Sequence, residues 1–151
     1  MGATERLEEL GLALPPVPAP AAAYRPWTQV GDLVLTAGQL PVVGGALPRT
    51  GKLGADLSTD EGAELARTAA LNLLAVAADA FGGLDGVRAV KLTVFVACEP
   101  TFTEQHLVAN GASELLAAVL GDDGVHARSA VGVPALPLGS PVEIEGVFTR
   151  V

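Results

Sequence analysis

Residues 58–83 contain a start signal and a stop signal for one long amphipathic helix. Ser58 and Glu61 have the spacing of a capping box, in which each side chain accepts a hydrogen bond from the other residue's backbone amide. The next apolar residues recur every three or four positions, which predicts one buried stripe made of Leu65, Ala69, Leu73, Val76 and Ala80. Gly82-Gly83 ends the helix. Alanine dominates the neighbouring positions, so this helix can approach a sheet closely.

The segments around this helix predict such a sheet. The predicted strands cover 24–30, 32–40, 87–98, 127–133 and 142–151. A second helix is predicted over 101–120 and a short one over 2–13. We divide the chain into an N-terminal helix and proline-rich arm, residues 1–22, and a domain, residues 23–151.

The order of the predicted elements is ββαβαββ, which favours an α+β fold with a single sheet and both helices packed on one face. The other face must then be covered by something outside the chain. Self-association is the economical explanation.

Charge and composition exclude several classes of function. The chain has 9 basic and 17 acidic residues and a net charge of −8, whereas nucleic-acid binding needs clustered cations. The same charge argues against docking on an anionic membrane. Acidic residues at the N-terminus do not fit a secretory signal, and no apolar stretch is long enough to cross a bilayer. We therefore expect a cytoplasmic protein without nucleic-acid or membrane partners.

Known cofactor and metal motifs are missing from the sequence. It has no phosphate-binding loop, no dinucleotide fingerprint and no nucleophile elbow. His106 and His126 lie far apart, so we predict neither a metal nor a cofactor, and a site built from both histidines and carboxylates is a minor alternative. Cys98 ends a strand, where a small packing residue is the simpler interpretation than a nucleophile.

Two strands carry charged residues among apolar ones. Arg128 begins the fourth strand, and Glu143 and Glu145 share one face of the fifth because strand side chains alternate. From spacing alone, an arginine–glutamate pair on a solvated sheet face is as good an interpretation as a functional site.

Three motifs in order point to a known family. They are Ala37-Gly38-Gln39-Leu40-Pro41, His126-Ala127-Arg128-Ser129-Ala130-Val131 and Val142-Glu143-Ile144-Glu145. Together they resemble the RidA (YjgF) family of enamine/imine deaminases, also called L-PSP endoribonuclease-like or chorismate mutase-like proteins. The resemblance covers about residues 20–151. It implies the chorismate mutase-like fold and a homotrimeric barrel of sheets with helices outside and three clefts between subunits.

The resemblance also implies a role for individual residues. Arg128 would bind the carboxylate of a 2-imino or 2-enamino acid through its planar guanidinium. Glu143 would activate the attacking water. Tyr24 would close the cleft, and Gly38 would let the backbone approach the ligand. Asn110 matches a family asparagine through its spacing to Glu114 and would bind the substrate.

Other positions around the implied cleft depart from the family pattern. Ala37 stands where deaminases commonly have serine, and Ala130 stands where they have cysteine or serine. The cleft would therefore lose side-chain hydroxyl or thiol groups, although backbone amides could still bind a carboxylate. His126 lies beside the cleft, where it would contact either the ligand or the backbone. These features indicate a less characterised branch.

Three functions follow from these residues. The first is hydrolytic deamination of 2-enamino or 2-imino acids, such as 2-aminoacrylate, to 2-oxo acids and ammonia without a cofactor. The second is a trimeric protein that binds a small carboxylic acid in the same cleft, or acts as a scaffold, without catalysis. The third, a ribonuclease, fits poorly because the chain is acidic and has no basic stripe.

Overall fold

The computed structural model of the chain describes residues 1–17 and 23–151. The helices are α1 (Ala3–Glu9), α2 (Thr59–Phe81) and α3 (Gln105–Leu120). The strands are β1 (Trp27–Val30), β2 (Leu33–Thr36), β3 (Val87–Ala97), β4 (Ala127–Val133) and β5 (Val142–Arg150). Two short 3₁₀ helices, Gly121–Gly124 and Pro137–Gly139, precede β4 and β5. The predicted ββαβαββ order is confirmed.

The five strands form one sheet in the order β1-β2-β5-β3-β4. Strands β3 and β4 are parallel and are joined through α3, whereas the other neighbouring pairs are antiparallel. Strand β5 therefore lies between β2 and β3, the two strands that α2 connects. Strands β1 and β4 form the edges of the sheet.

Helices α2 and α3 cover one face of the sheet, as the sequence predicts. The sheet side chains that point at them are fully or almost fully buried: Val34, Val87, Ala89, Leu92, Val94, Val96, Val142, Ile144 and Phe148. In α2, the predicted capping box forms, and Gly82 ends the helix with a φ of 74°. Four of the five predicted stripe residues are buried, and the fifth, Ala80, is half-buried.

The opposite face of the sheet, which we call the open face, has no covering element within the residues described. Apolar side chains on it are markedly exposed: Val30 (69%), Leu33 (41%), Leu35 (40%) and Val131 (43%). Monomeric proteins seldom expose apolar side chains in such a group, so this face is suited to contact with another chain.

Apart from the end of β2, three element boundaries differ from the prediction for identifiable reasons. Helix α1 is shorter than residues 2–13 because Gly11, with a φ of 67°, turns the chain away. Strand β1 begins after Pro26, which has no amide to donate. Helix α3 begins at Gln105 and not at residue 101, because residues 99–102 form a turn closed by the Phe102 amide and the Glu99 carbonyl. The remainder of the predicted arm, residues 18–22, lies outside the described residues.

Strand β2 ends at Thr36, four residues before the predicted end. The Thr36 hydroxyl accepts a hydrogen bond from the Gly146 amide of β5. A side-chain oxygen of β2 therefore takes the place of a backbone carbonyl in the pairing of β2 with β5. The chain bulges at Ala37 and Gly38 and then returns to the sheet, where Gln39 pairs with Ile144 through both backbone groups. This bulge brings Gly38 against β5.

Helix α1 packs on the outside of the domain near the end of α3. Ala3 and Leu7 are buried in the main core. Arg6 donates a hydrogen bond to the Val119 carbonyl, and the Thr4 hydroxyl donates one to Asp85. These contacts attach the N-terminal helix to the domain.

Candidate functional site

Arg128 lies on edge strand β4, on the face that carries the helices. Its register partner on β3 is Leu92, which is fully buried against those helices. One guanidinium nitrogen, Nη1, donates to Asn110 Oδ1 (3.0 Å) and to Ser113 Oγ (3.0 Å), and Nη2 donates to the His106 carbonyl (3.2 Å). All three acceptors belong to α3, so the helix holds the guanidinium in place.

Two N–H groups of the Arg128 guanidinium remain available for a ligand. A guanidinium has five N–H groups, and these three bonds use three of them. One N–H on Nε and one on Nη2 have no acceptor within the described residues. Donors on neighbouring guanidinium nitrogens are suited to bridging the two oxygens of a carboxylate.

His126 is connected to Arg128 through Ser113. Its Nε2 lies 2.9 Å from Ser113 Oγ, and its Nδ1 lies 2.6 Å from the Gly124 carbonyl oxygen. The sequence left open whether His126 contacts ligand or backbone, and in this structure it bonds the backbone and a serine. Both histidine nitrogens are therefore occupied.

Glu143 lies on the open face, in direct contact with the bulge of β2. A Cβ atom added at Gly38 would lie 2.2 Å from Glu143 Oε1, so the glutamate occupies space that any side chain at Gly38 would take. Burial raises the pKa of Glu143, and the nearby negative charge of Glu145 raises it further. A half-buried carboxylate with a raised pKa is suited to accepting a proton from water.

Tyr24 and Gly38 line one cavity of about 500 Å³. Its wall also includes Pro15, Pro16 and Val17 from the segment after α1, together with Leu40 and Val42. Tyr24 is 61% exposed, so its ring is available at the surface. Ala37, beside Gly38 in the bulge, donates its amide to the Pro26 carbonyl.

The predicted site residues thus form two groups within one chain. Ala37, Gly38 and Glu143 belong to the bulge and the open face, and Tyr24 shares a cavity with Gly38. Arg128, Asn110, His126 and Ala130 lie where β4 meets α3.

The two groups are on opposite faces of the sheet. Arg128 aligns with Leu92, whereas Glu143 aligns with Phe95 of the same strand, three residues further along, and side chains alternate along a strand. No hydrogen bond or salt bridge joins Arg128 to Glu143 or Glu145 among the residues described. The interpretation as an arginine–glutamate pair on one solvated face is therefore wrong.

Several other candidates have structural roles. Ala130 packs against the core, and Cys98 is buried in it. Asn110 was predicted to bind substrate, but here its side-chain oxygen accepts from Arg128. Arg150, at the end of β5, donates to the carbonyls of Phe81 and Asp85 and has no bond to Glu145.

Sequence reasoning missed Ser113. It lies three residues after Asn110, so both side chains share one face of α3. The Asn110-x-x-Ser113 spacing is a signal that could have identified it. A lone serine in a helix is common, however, and only the packing of α3 on β4 makes it a partner of Arg128.

No cluster of three or more potential metal ligands is found in residues 1–17 and 23–151. No helix in the same part of the chain is both long enough and apolar enough to span a membrane.

Comparison with known proteins gives a consistent family. The family model described as "YjgF/chorismate mutase-like, putative endoribonuclease" matches residues 4–148. Protein TCP17 of Trypanosoma cruzi is 47% identical over 145 residues, which cover 93% of this chain and 89% of that protein. The residues that the family model matches include most of α1, whereas the resemblance seen in the sequence began at about residue 20.

Solved structures agree with this result. A protein of unknown function from Agrobacterium tumefaciens is 44% identical, covering 99% of this chain and 92% of that one, with a TM-score of 0.91. A protein from Shewanella oneidensis, described as a "putative endoribonuclease", is 32% identical over the whole of both chains, with a TM-score of 0.94. E. coli TdcF, solved with bound serine, is 26% identical, covering 89% of this chain and 94% of that one, with a TM-score of 0.62.

Proposed function

Because the chain belongs to the YjgF/chorismate mutase-like family, we propose that it hydrolyses 2-imino acids to 2-oxo acids and ammonia. The 2-enamino acids that tautomerise to imines are substrates by the same route. The observation that carries the proposal is the Arg128 guanidinium, which donates three hydrogen bonds to acceptors on α3 and keeps two N–H groups for a substrate carboxylate.

The site is shared between copies of the chain. Arg128 and Glu143 lie on opposite faces of one sheet, so a substrate between them requires Arg128 from one protomer and Glu143 from the next. A homotrimer provides this arrangement three times. The exposed apolar residues of the open face and the free edge of β4 support such an assembly.

The reaction needs few groups from the protein. Water adds to the C2 carbon of the imine while the Glu143 carboxylate takes a proton from it, which forms the C–O bond and moves the C=N electron pair onto nitrogen. Glu143 then returns that proton to nitrogen, which gives the carbinolamine with an OH and an NH2 group on C2. Glu143 next takes the proton of this hydroxyl and passes it to the amine nitrogen, so that the C–N bond breaks and ammonia leaves as the 2-oxo group forms. The imine carbon is already electrophilic, so holding the acid and placing the water account for most of the acceleration.

The bulge at Gly38 supports the assignment of Glu143. It keeps the carboxylate half-buried, so its pKa is raised and the ionised form is a stronger base.

Ammonia release from freshly generated iminopyruvate tests the proposal. We expect Arg128→Ala to lower kcat/KM by about 100-fold or more, because it removes both free donors. Arg49→Ala is the matched control, since Arg49 forms an exposed ion pair with Glu61 and has no hydrogen bond to a predicted site residue, and it should retain full activity. Equal rates for the wild type, Arg128→Ala and a blank without protein would refute the proposal.

A second candidate is capture of a small carboxylic acid without turnover. The alanines at 37 and 130 favour it, because they leave the candidate site without the hydroxyl or thiol groups that such positions could supply. The serine-bound TdcF structure supports small-molecule binding in a related protein. Calorimetry with a panel of 2-oxo acids, combined with the ammonia assay, separates binding from catalysis.

Ribonuclease activity, which the family description suggests, is not supported by the charge of the chain. With nine basic and seventeen acidic residues, it has little means to bind an RNA backbone. We expect no cleavage of a defined RNA. Cleavage that a change at Arg128 or Glu143 abolishes would contradict this expectation.

A further inference from the structure

Four groups are linked by consecutive hydrogen bonds, from Arg128 through Ser113 and His126 to the Gly124 carbonyl, and each group donates to the next. Arginine N–H groups only donate and a backbone carbonyl only accepts. Arg128 Nη1 therefore donates to Ser113 Oγ, and His126 Nδ1 donates to the Gly124 carbonyl. An imidazole that is neutral and donates from Nδ1 has its lone pair on Nε2, which accepts the Ser113 hydroxyl proton.

We propose that Ser113 and His126 are positioning residues that fix the guanidinium of Arg128 for carboxylate binding. His126 does not touch the substrate. It orients the Ser113 hydroxyl so that an oxygen lone pair points at Arg128, and it is itself held by the carbonyl of Gly124. The inference deepens the proposed function and rests on it for the role of Arg128 toward a carboxylate.

The fold explains why these residues meet. His126 lies two positions before Arg128, immediately before β4, and the side chains of both residues reach Ser113 on α3. Ser113 lies one helical turn after Asn110, which bonds the same Nη1 atom. The 3₁₀ helix Gly121–Gly124 links α3 to β4 and brings the Gly124 carbonyl to His126. Ser113 Oγ and both ring nitrogens of His126 are hydrogen-bonded, which makes the arrangement well defined.

A positioning role predicts a smaller loss of ligand binding than a direct contact with the ligand does, because Arg128 has two further acceptors on α3. Asn110 and the His106 carbonyl also hold the guanidinium, so removing Ser113 or His126 should loosen Arg128 without freeing it completely. Binding of a carboxylate should weaken by an intermediate factor. Direct ligands such as Arg128 should show a much larger loss.

The first test needs no ligand. When rotation of a guanidinium is hindered, its two Nη groups give separate ¹⁵N NMR signals. We expect separate signals for Arg128 in the wild type and merged signals in Ser113→Ala and His126→Leu. Ser113→Thr keeps a hydroxyl and His126→Gln keeps an acceptor, so both should retain separate signals. Thr68→Ala, which removes a helix-surface hydroxyl bonded to the Glu64 carbonyl, is the matched control and should also retain them.

The second test is calorimetry with pyruvate, the smallest 2-oxo acid product. We expect Ser113→Ala and His126→Leu to raise Kd about 5-fold, the loss that one net hydrogen bond predicts, and the two conservative variants to stay within about 2-fold of the wild type. The double variant Ser113→Ala/His126→Leu should be no weaker than either single variant, because both act on one chain.

The outcomes separate the two proposals. If the wild type binds no pyruvate and releases no ammonia, the proposed function fails, while the NMR signals still decide the positioning role. If His126→Leu keeps separate Arg128 signals, or binds pyruvate like the wild type while Arg128→Ala does not, the positioning role is wrong and the proposed function stands.

Discussion

Glu143 has a half-buried carboxylate because the residue that packs against it, Gly38, has no side chain. Arg128 depends on a different local arrangement, three acceptors on α3 that leave two donors free. The sequence resemblance predicted a role for both residues and for Gly38. It could not predict that Asn110 and His126 act on Arg128, because those bonds depend on how closely α3 lies over β4.

Gly38→Ala should reduce turnover while leaving the fold intact. Its φ is not in the left-handed region, so alanine is tolerated by the backbone, and the added Cβ displaces the end of the Glu143 side chain. We expect kcat to fall about 10- to 100-fold and the free energy of unfolding to change by less than about 1 kcal/mol. Steady-state kinetics and urea denaturation measure these effects.

The control for Gly38→Ala is the same change in a Glu143→Gln background. If alanine acts by moving the carboxylate, it should cause no further loss there. A further loss as large as in the wild-type background would mean that Gly38 acts without Glu143.

Glu143→Gln should stabilise the protein in a pH-dependent way. The folded-state pKa is raised, so the folded chain holds the proton more tightly than the unfolded chain, whose carboxyl has the ordinary value of 4.5. Ionised Glu143 therefore destabilises the fold increasingly as pH rises through 4.5 toward the folded-state pKa. Above the folded-state pKa the whole of this destabilisation is present. The variant should gain Tm at neutral pH and lose that advantage below pH 4.5.

Glu8→Gln is the matched control in thermal denaturation, because it removes an exposed carboxylate on α1 and leaves both Glu143 and its neighbour Glu145 in place, so its Tm at neutral pH should stay close to that of the wild type. A Tm gain for Glu143→Gln that is the same at every pH would contradict the burial of this carboxylate.

At the scale of elements, α2 was the most predictable part of the fold. Its capping box and terminal glycine are local signals, and both form. The ends of β1 and β2 were not predictable in the same way. The Thr36 hydroxyl and the bulge at Gly38 end β2 through contacts with β5, more than a hundred residues later in the chain.

The crossing of α2 and α3 also escaped prediction. A Cβ atom at Gly111 would lie 1.9 Å from the Ala63 carbonyl oxygen, so the helices touch through a residue without a side chain. The apolar stripe predicted which face of α2 is buried, but not how closely a second helix approaches it.

Gly111→Ala should destabilise the domain although alanine is the better helix former. Helix propensity alone predicts a gain of about 1 kcal/mol, whereas the clash with the α2 backbone should cost about 2–4 kcal/mol. Urea denaturation decides the sign. A more stable variant would contradict the close helix crossing.

At the scale of the whole molecule, one sheet carries two halves of a site on opposite faces. The sequence indicated that the face away from the helices needs a cover, and exposed apolar side chains are found there. The sequence could not show that Arg128 and Glu143 point apart, because that depends on the registers of β4 and β5 against β3. Assembly is therefore a requirement for activity in this account, and not merely a source of stability.

Mixing two inactive variants tests the shared site most directly. Arg128→Ala and Glu143→Gln are unfolded together, refolded as a mixture, and assayed for ammonia release from iminopyruvate. A site that takes Arg128 from one protomer and Glu143 from the next is intact in about one quarter of the interfaces of a random trimer, so the mixture should recover about one quarter of wild-type activity. Each variant refolded alone should remain inactive. A mixture as inactive as its components, under conditions in which the refolded wild type is active, would contradict the shared site.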